Sequence, residues 1–160
     1  MRILRFLALG VAVLAVVGAG MGIAARFSDG PLAVDPGGAV RSGEWVDAPI
    51  VDWSFAADVE TLELQLKGDK TARTTWILVH DGVAYIPCSL GFPPGKTWHE
   101  RAVQDGRAII RHEGRRYAVQ LERSEDDAAL AALATVVENK YGAAPPSDET
   151  RFFALSSRAR

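Results

Sequence analysis

The residues of this chain best suited to chemistry fall in a few short segments, and their spacing decides what they can do. GFPPGKT, residues 91–97, lies between an apolar run and a candidate helix, where a phosphate-binding loop would sit. Its glycines, Gly91 and Gly95, enclose three residues rather than four, and Pro93 and Pro94 remove N–H donors that such a loop aims at phosphate. The spacing therefore argues against a nucleotide-triphosphate site. His99 and Glu100 open a zinc-hydrolase pattern that fails at Val103. His80 and His112 stand beside Asp81 and Glu113 at strand ends, and no spacing requires them to converge on a metal. A Gly-x-Ser-x-Gly elbow is absent, which removes the usual serine-hydrolase signature. Cys88 is the only cysteine, so an intramolecular disulfide is impossible. It reads either as a reactive thiol or, more commonly on an apolar strand, as a small buried hydrophobe.

The elements that would position these residues are mostly strands. Leu62, Leu64 and Leu66 alternate with Glu63 and Gln65, the two-residue period of a half-buried strand. TTWILVH and VAYIPC flank Asp81-Gly82, which predicts a hairpin with a two-residue turn, and GRAIIRH and RRYAVQLER predict a second around Glu113-Gly114. KTWHERAVQD places Trp98, Ala102 and Val103 at helical spacing and predicts a short helix. A capping arrangement from Ser124 to Asp127 opens a longer helix with Leu130, Leu133, Ala134, Val137 and Tyr141 on one face, ended by Gly142 and the prolines at 145 and 146. RFFALSS supplies a last strand. The expectation is a mainly β domain, a small and mostly antiparallel β-barrel of about six strands with two helices.

Residues 6–25, FLALGVAVLAVVGAGMGIAA, carry no charge and follow Arg2 and Arg5. A helix of that length rises about 30 Å, enough to span a bilayer. The length favours an uncleaved transmembrane helix over a cleaved secretory segment, whose apolar part is usually about 7 to 15 residues. Either way the basic N-terminus predicts that the domain lies on the extracytoplasmic side, membrane-anchored or, if cleaved, secreted. The expected organisation is an anchor over 1–27, a glycine- and proline-rich flexible linker over 28–44 and a single domain over 45–160. Setting aside Arg2, Arg5 and Arg26 leaves 15 of the 18 basic residues against 20 acidic ones, a formal net charge near −5. That balance argues against a nucleic-acid partner.

Residues 60–155 resemble the FMN- and deazaflavin-binding split-barrel proteins related to pyridoxamine phosphate oxidase, in particular the deazaflavin-dependent nitroreductase branch. The likeness is carried by Gly68, Lys70, Thr71 and Arg73 in a first turn, Asp81-Gly82 in a hairpin, Ser89, Gly91 and Trp98 across a loop into a helix, and Gly114 to Tyr117 in a second hairpin. The resemblance implies a split barrel, FMN or a deazaflavin as cofactor, a small-molecule redox substrate such as a quinone or nitro compound, and a homodimer that completes the cofactor cleft. It implies phosphate contacts from Lys70, Arg73, Thr74 and Thr75, a ring near Pro87, Cys88 and Ser89, and a rim at Lys96, Trp98 and His99. A guanidinium can grip phosphate through two parallel hydrogen bonds, and a lysine adds a mobile point charge. A cofactor-free barrel that binds or scaffolds at the membrane surface stands as the alternative; there, Lys70 and Arg73 are solvated charges and Trp76 and Trp98 fill core.

Overall fold

The computed structural model describes residues 2–32, 36–142 and 149–160. The alternation around Leu64 becomes strand β2 (Thr61–Leu66), with Leu62, Leu64 and Leu66 buried between half-buried Glu63 and Gln65. Both expected hairpins form. Asp81 and Gly82 adopt positive φ, 48° and 74°, and join β4 (Leu78–His80) to β5 (Val83–Ser89) with His80 opposite Val83. Glu113 and Gly114 do the same, at 48° and 73°, between β6 (Arg107–His112) and β7 (Arg115–Arg123). Two central residues at positive φ twist a hairpin the way its strands twist, which is why glycine follows an acidic residue at both turns.

Among the described residues the domain has eight strands rather than about six, for two reasons. The run TTWILVH is broken at Ile77, giving β3 (Arg73–Trp76) and then β4. Ile77 is 1% exposed and turned into the core, and on either side of it the chain changes partner, from β2 to β5. A short β1 (Glu44–Val46) pairs in parallel with β7, held by Trp45, whose ring lies 4.5 Å from the Arg116 guanidinium and 5.3 Å from that of Arg160. Nothing in a three-residue strand announces itself by period. With β8 (Thr150–Ser157), the sheet runs β3-β2-β6-β7-β8-β5-β4 with antiparallel neighbours throughout. Because β3 and β4 are consecutive through Ile77, the two ends of that path meet and the sheet is a nearly closed barrel, which leaves little exposed edge.

Alternation along the strands sorts two cores. The barrel interior holds Leu62, Leu64, Ile86, Cys88, Ile110, Val119 and Phe153, capped at one end by α2 (Trp98–Gln104) through Trp98 and Ala102. The outer face of β4, β5 and β8 carries Leu78, Tyr85 and Phe152 against Leu133 and Val137 of α3 (Asp127–Tyr141). That helix starts on Asp126 rather than Ser124: the Asp126 carboxylate accepts from the N–H groups of Ala128 and Ala129 at 2.9 and 3.3 Å. Gly142, at φ 80°, ends it in the left-handed conformation, and the prolines at 145 and 146 lie outside the described residues. The last turn is stapled to the Ile77 corner. Lys140 Nζ donates to the carbonyls of Ala57, Val59 and Ile77 at 2.7, 2.5 and 3.0 Å. The Tyr141 hydroxyl reaches the Glu60 and Ile77 carbonyls at 2.6 and 2.9 Å while its ring stacks on Trp76, 4.1 Å away. The Ile77 carbonyl, left out of the ladder by the strand break, and those of the segment before β2 thus find donors.

The described part of the segment expected as a linker is held against the barrel. Gly37 bridges to Ala72, and a Cβ at Gly37 would come within 2.0 Å of the Gly30 carbonyl, so only glycine fits this approach. Asp29 accepts from the Arg41 and Ser42 backbone and the Ser42 hydroxyl and pairs with Arg111 at 2.9 Å, while Arg111 also meets Glu63 at 2.5 Å. The Ser42 hydroxyl, then the backbone donors, hold the Asp29 carboxyl well below the usual carboxylate range. Ahead of it, α1 (Arg2–Ala25) contains the expected span 6–25, with several of its side chains outside the described set. Among the described residues no helix is long and apolar enough to cross a membrane.

Candidate functional site

Strand register divides the expected contacts between two faces. Directly opposed residues of an antiparallel pair share a face. Arg73 lies opposite Leu64 and Thr75 opposite Leu62, so both belong to the barrel interior; Thr74 lies opposite Glu63 and belongs to the exterior. Lys70 is exposed in the turn before β3. In β5, Cys88 is in the interior core, whereas Pro87 and Ser89 alternate to the α3 side, opposite Phe152 and Thr150. Pro87 lies beyond the end of the β4 pairing, a position in the strand that tolerates its missing N–H.

What the fold brings together is the interior set at the end capped by α2. The Arg73 guanidinium stands 5.4 Å from the centre of the Trp98 ring, and Trp98 in turn packs on Phe153 at 5.5 Å. Asp69 holds Arg73 at 3.3 Å and Arg101 at 2.9 Å through the same oxygen. The Nε of Arg73 is buried and has no hydrogen-bond partner. Burial pulls the Arg73 pKa down, with Asp69 opposing and Arg101 adding to the fall; an arginine keeps its charge regardless. Lys96, from the loop after β5, donates to the Phe92 carbonyl, and its pKa is lowered by burial, then by Arg73.

Cys88 feels the charge of Lys96 and Arg73. Burial pushes its thiol up to about 11, against the pull of Lys96, Arg73 and Arg151. The thiol is therefore protonated at neutral pH and unreactive, the hydrophobe rather than the nucleophile of the two sequence readings.

Two further residues complete the cluster, and one of them, Arg151, was not singled out by the sequence. Arg151 lies opposite Cys88 and so faces the same interior. It is half-buried, and among the described residues its side chain makes no ion pair or hydrogen bond. The only signal in the sequence is a charged residue opening an otherwise apolar strand. His99 follows Trp98 on α2, is 8% exposed, and has a buried Nδ1 with no partner. Burial first, then Arg151 and Lys96, lower its pKa from the ordinary 6.5, with Glu100 opposing, so the imidazole is neutral at pH 7. Thr150 Oγ1, also buried and unpartnered, is next to Arg151 on the alternate face.

Chemically this barrel end has four cations, Arg73, Lys96, Arg101 and Arg151, a neutral imidazole and one acid, Asp69, already shared by Arg73 and Arg101. It is suited to an anion, and the orphaned donors fit the oxygen acceptors of a phosphate group. Two surface hollows, of about 460 and 450 Å³, lie elsewhere. The first runs between the end of α2 and β6–β7; the second, which includes Thr74, lies beside Glu63 and Arg111. Among the described residues no three His, Cys, Asp or Glu side chains cluster as a metal site would require, and His80 and His112 each face the acid of their own turn.

The chain is, by its strand order, a mainly β, nearly closed antiparallel barrel with a basic interior end. Among solved structures it is similar to a pyridoxamine 5'-phosphate oxidase-like protein from Listeria innocua, at 15% identity and a TM-score of 0.47 over 63% of this chain and 86% of that one. It is also similar to a NimC/NimA family protein from Clostridium acetobutylicum, at 14% identity and a TM-score of 0.46 over 62% of this chain and 74% of that one. No family model and no curated protein matches the chain.

Proposed function

We propose that the protein is a split-barrel oxidoreductase of the flavin type, using FMN or a deazaflavin to reduce a quinone, nitro compound or similar small acceptor. The observation that carries this reading is the convergence of Arg73, Lys96, Cys88 and Trp98, all implied contacts, at one barrel end where a buried guanidinium nitrogen lacks an acceptor. Arg73 and Lys96 would hold the phosphate, and the neutral Cys88 thiol and the Trp98 ring would give apolar contact without competing nucleophilic chemistry. A bound flavin supplies the hydride transfer; the protein's part is binding, orientation and electrostatics. Residues 6–25 would anchor the domain beside lipid-soluble acceptors on the extracytoplasmic side, and a second copy would complete the cleft.

A cofactor-free binding or scaffolding barrel is the second reading, favoured by one observation: Trp98 and Cys88, 5% and 2% exposed, fill the barrel end, and both hollows lie elsewhere. Absorbance and fluorescence titration of the full chain in detergent, with FMN and separately with a deazaflavin, decides between them. Saturable binding at micromolar concentration, lost in Arg73→Ala, is expected; a folded protein that binds neither establishes the second reading.

A further inference from the structure

We infer that Arg73, Lys96, Arg151 and His99 form one oxyanion site at the α2 end of the barrel, taking a phosphate-sized anion whether free or as the end of a larger molecule. The inference deepens the flavin reading by adding Arg151 and His99 to the anion's contacts, and it stands if no flavin binds. Three separate elements and a loop deliver these groups: β3 carries Arg73, β8 carries Arg151, α2 carries His99 and the segment after β5 carries Lys96.

Three observations converge. Arg73 Nε and His99 Nδ1 are buried without partners, and the half-buried Arg151 guanidinium has none among the described residues. Buried donors are normally satisfied, so the Arg73 Nε–H lacks an acceptor that a bound anion would supply, and His99 Nδ1 can serve the same anion as its N–H tautomer. The charges are also unbalanced: Asp69 is committed to Arg73 and Arg101, while Glu100 and Glu149 are exposed at the margin. The chain as a whole has a formal net charge of −2, so the basic character is local to this interior. Lastly, the donor set matches the ligand. Guanidinium N–H groups and an ammonium suit oxygens that only accept, and a neutral imidazole can donate through Nδ1 without adding charge.

The test uses the full chain in detergent, with inorganic phosphate, FMN and riboflavin as probes. Titration with phosphate should move the Arg73 Nε–H and His99 ring resonances in NMR spectra. Arg151→Gln should weaken phosphate binding by about tenfold or more, Arg151→Lys by less, and Arg123→Gln, outside the cluster, by nothing measurable. FMN bound where riboflavin is not, with the same loss in Arg151→Gln, makes the phosphate end the handle and supports both readings. Phosphate bound with FMN ignored keeps the oxyanion site and removes the flavin. Unmoved Arg73 and His99 signals, or phosphate binding indifferent to Arg151→Gln, mean an adventitious ion only and overturn the inference. FMN binding with no phosphate effect overturns it too, while leaving the flavin reading in place. The wild-type resonances decide the matter even if the variants fail to fold.

Discussion

The two ends of β3 both take a cation out of water, and they treat it oppositely. Beyond its C-terminal end, at the Ile77 corner, Lys140 meets three backbone carbonyls within 3.0 Å, and the Tyr141 hydroxyl shares that of Ile77 while its ring stacks on Trp76. At its N-terminal end, Arg73 has one carboxylate, which it shares, and a buried nitrogen with none; nearby Arg151 has nothing among the described residues. Burial costs a charged group several kcal/mol unless hydrogen bonds offset it. A cation whose donors are matched by the fold contributes to stability; the leftover donors at the other end are what the proposed anion site rests on.

Breaking the staple should have the largest effect. Lys140→Met keeps the stem but removes the donor to three carbonyls, of which Ile77 keeps the Tyr141 hydroxyl and Ala57 is exposed, and a loss of about 1.5 to 3 kcal/mol is expected from the charged hydrogen bonds. Urea unfolding of the variant measures it; a loss below about 0.5 kcal/mol would mean that water replaces the ammonium and that the staple is not structural. Tyr141→Phe keeps the stack on Trp76 and removes only the hydroxyl, so about 1 kcal/mol should go, read by the same method.

The site end should respond to pH rather than to truncation. The His99 pKa is lowered in the fold, so between that value and the unfolded 6.5 the folded state binds fewer protons than the unfolded one. Its contribution is therefore intact above pH 6.5 and declines as the pH falls through 6.5 towards the folded value. Thermal melts from pH 7.5 down to about 5 should show a drop that His99→Gln reduces. A slope unchanged by that substitution would place the pH dependence elsewhere.

Smallest of all should be the stability change in Arg151→Gln, within about 0.5 kcal/mol, because it removes a cation without a partner and relieves its repulsion with neighbouring positive charge. A loss as large as that of Lys140→Met would abolish the contrast between the two ends and identify Arg151 as structural.

How much of this was legible in advance differs by element. The hairpins at Asp81-Gly82 and Glu113-Gly114 could be read because a two-residue turn is a local event decided by φ at those residues. The β2 alternation and the apolar face of α3 were legible for the same reason. The helix start was displaced by two residues because Ser124 and Asp126 are both acceptable caps, and the fold used the Asp126 carboxylate. The break at Ile77 was not legible, since TTWILVH has the composition of one continuous strand and the partner change depends on how the barrel closes. Nor was the basic end. Lys70, Arg73, Thr74 and Thr75 are close in sequence, yet pleating sends Thr74 to the outside, while Arg151, far along the chain, is brought opposite Cys88.

By itself, then, the sequence determined what depends on neighbours a few residues apart: the turns, the strand and helix periods, and which side chains of each strand share a face. The tertiary structure alone decided which of those faces meet, because register and closure are set by packing the whole barrel at once. An unpartnered nitrogen at Arg73, or an unpaired guanidinium at Arg151 among the described residues, exists only after every other donor and acceptor has found its place.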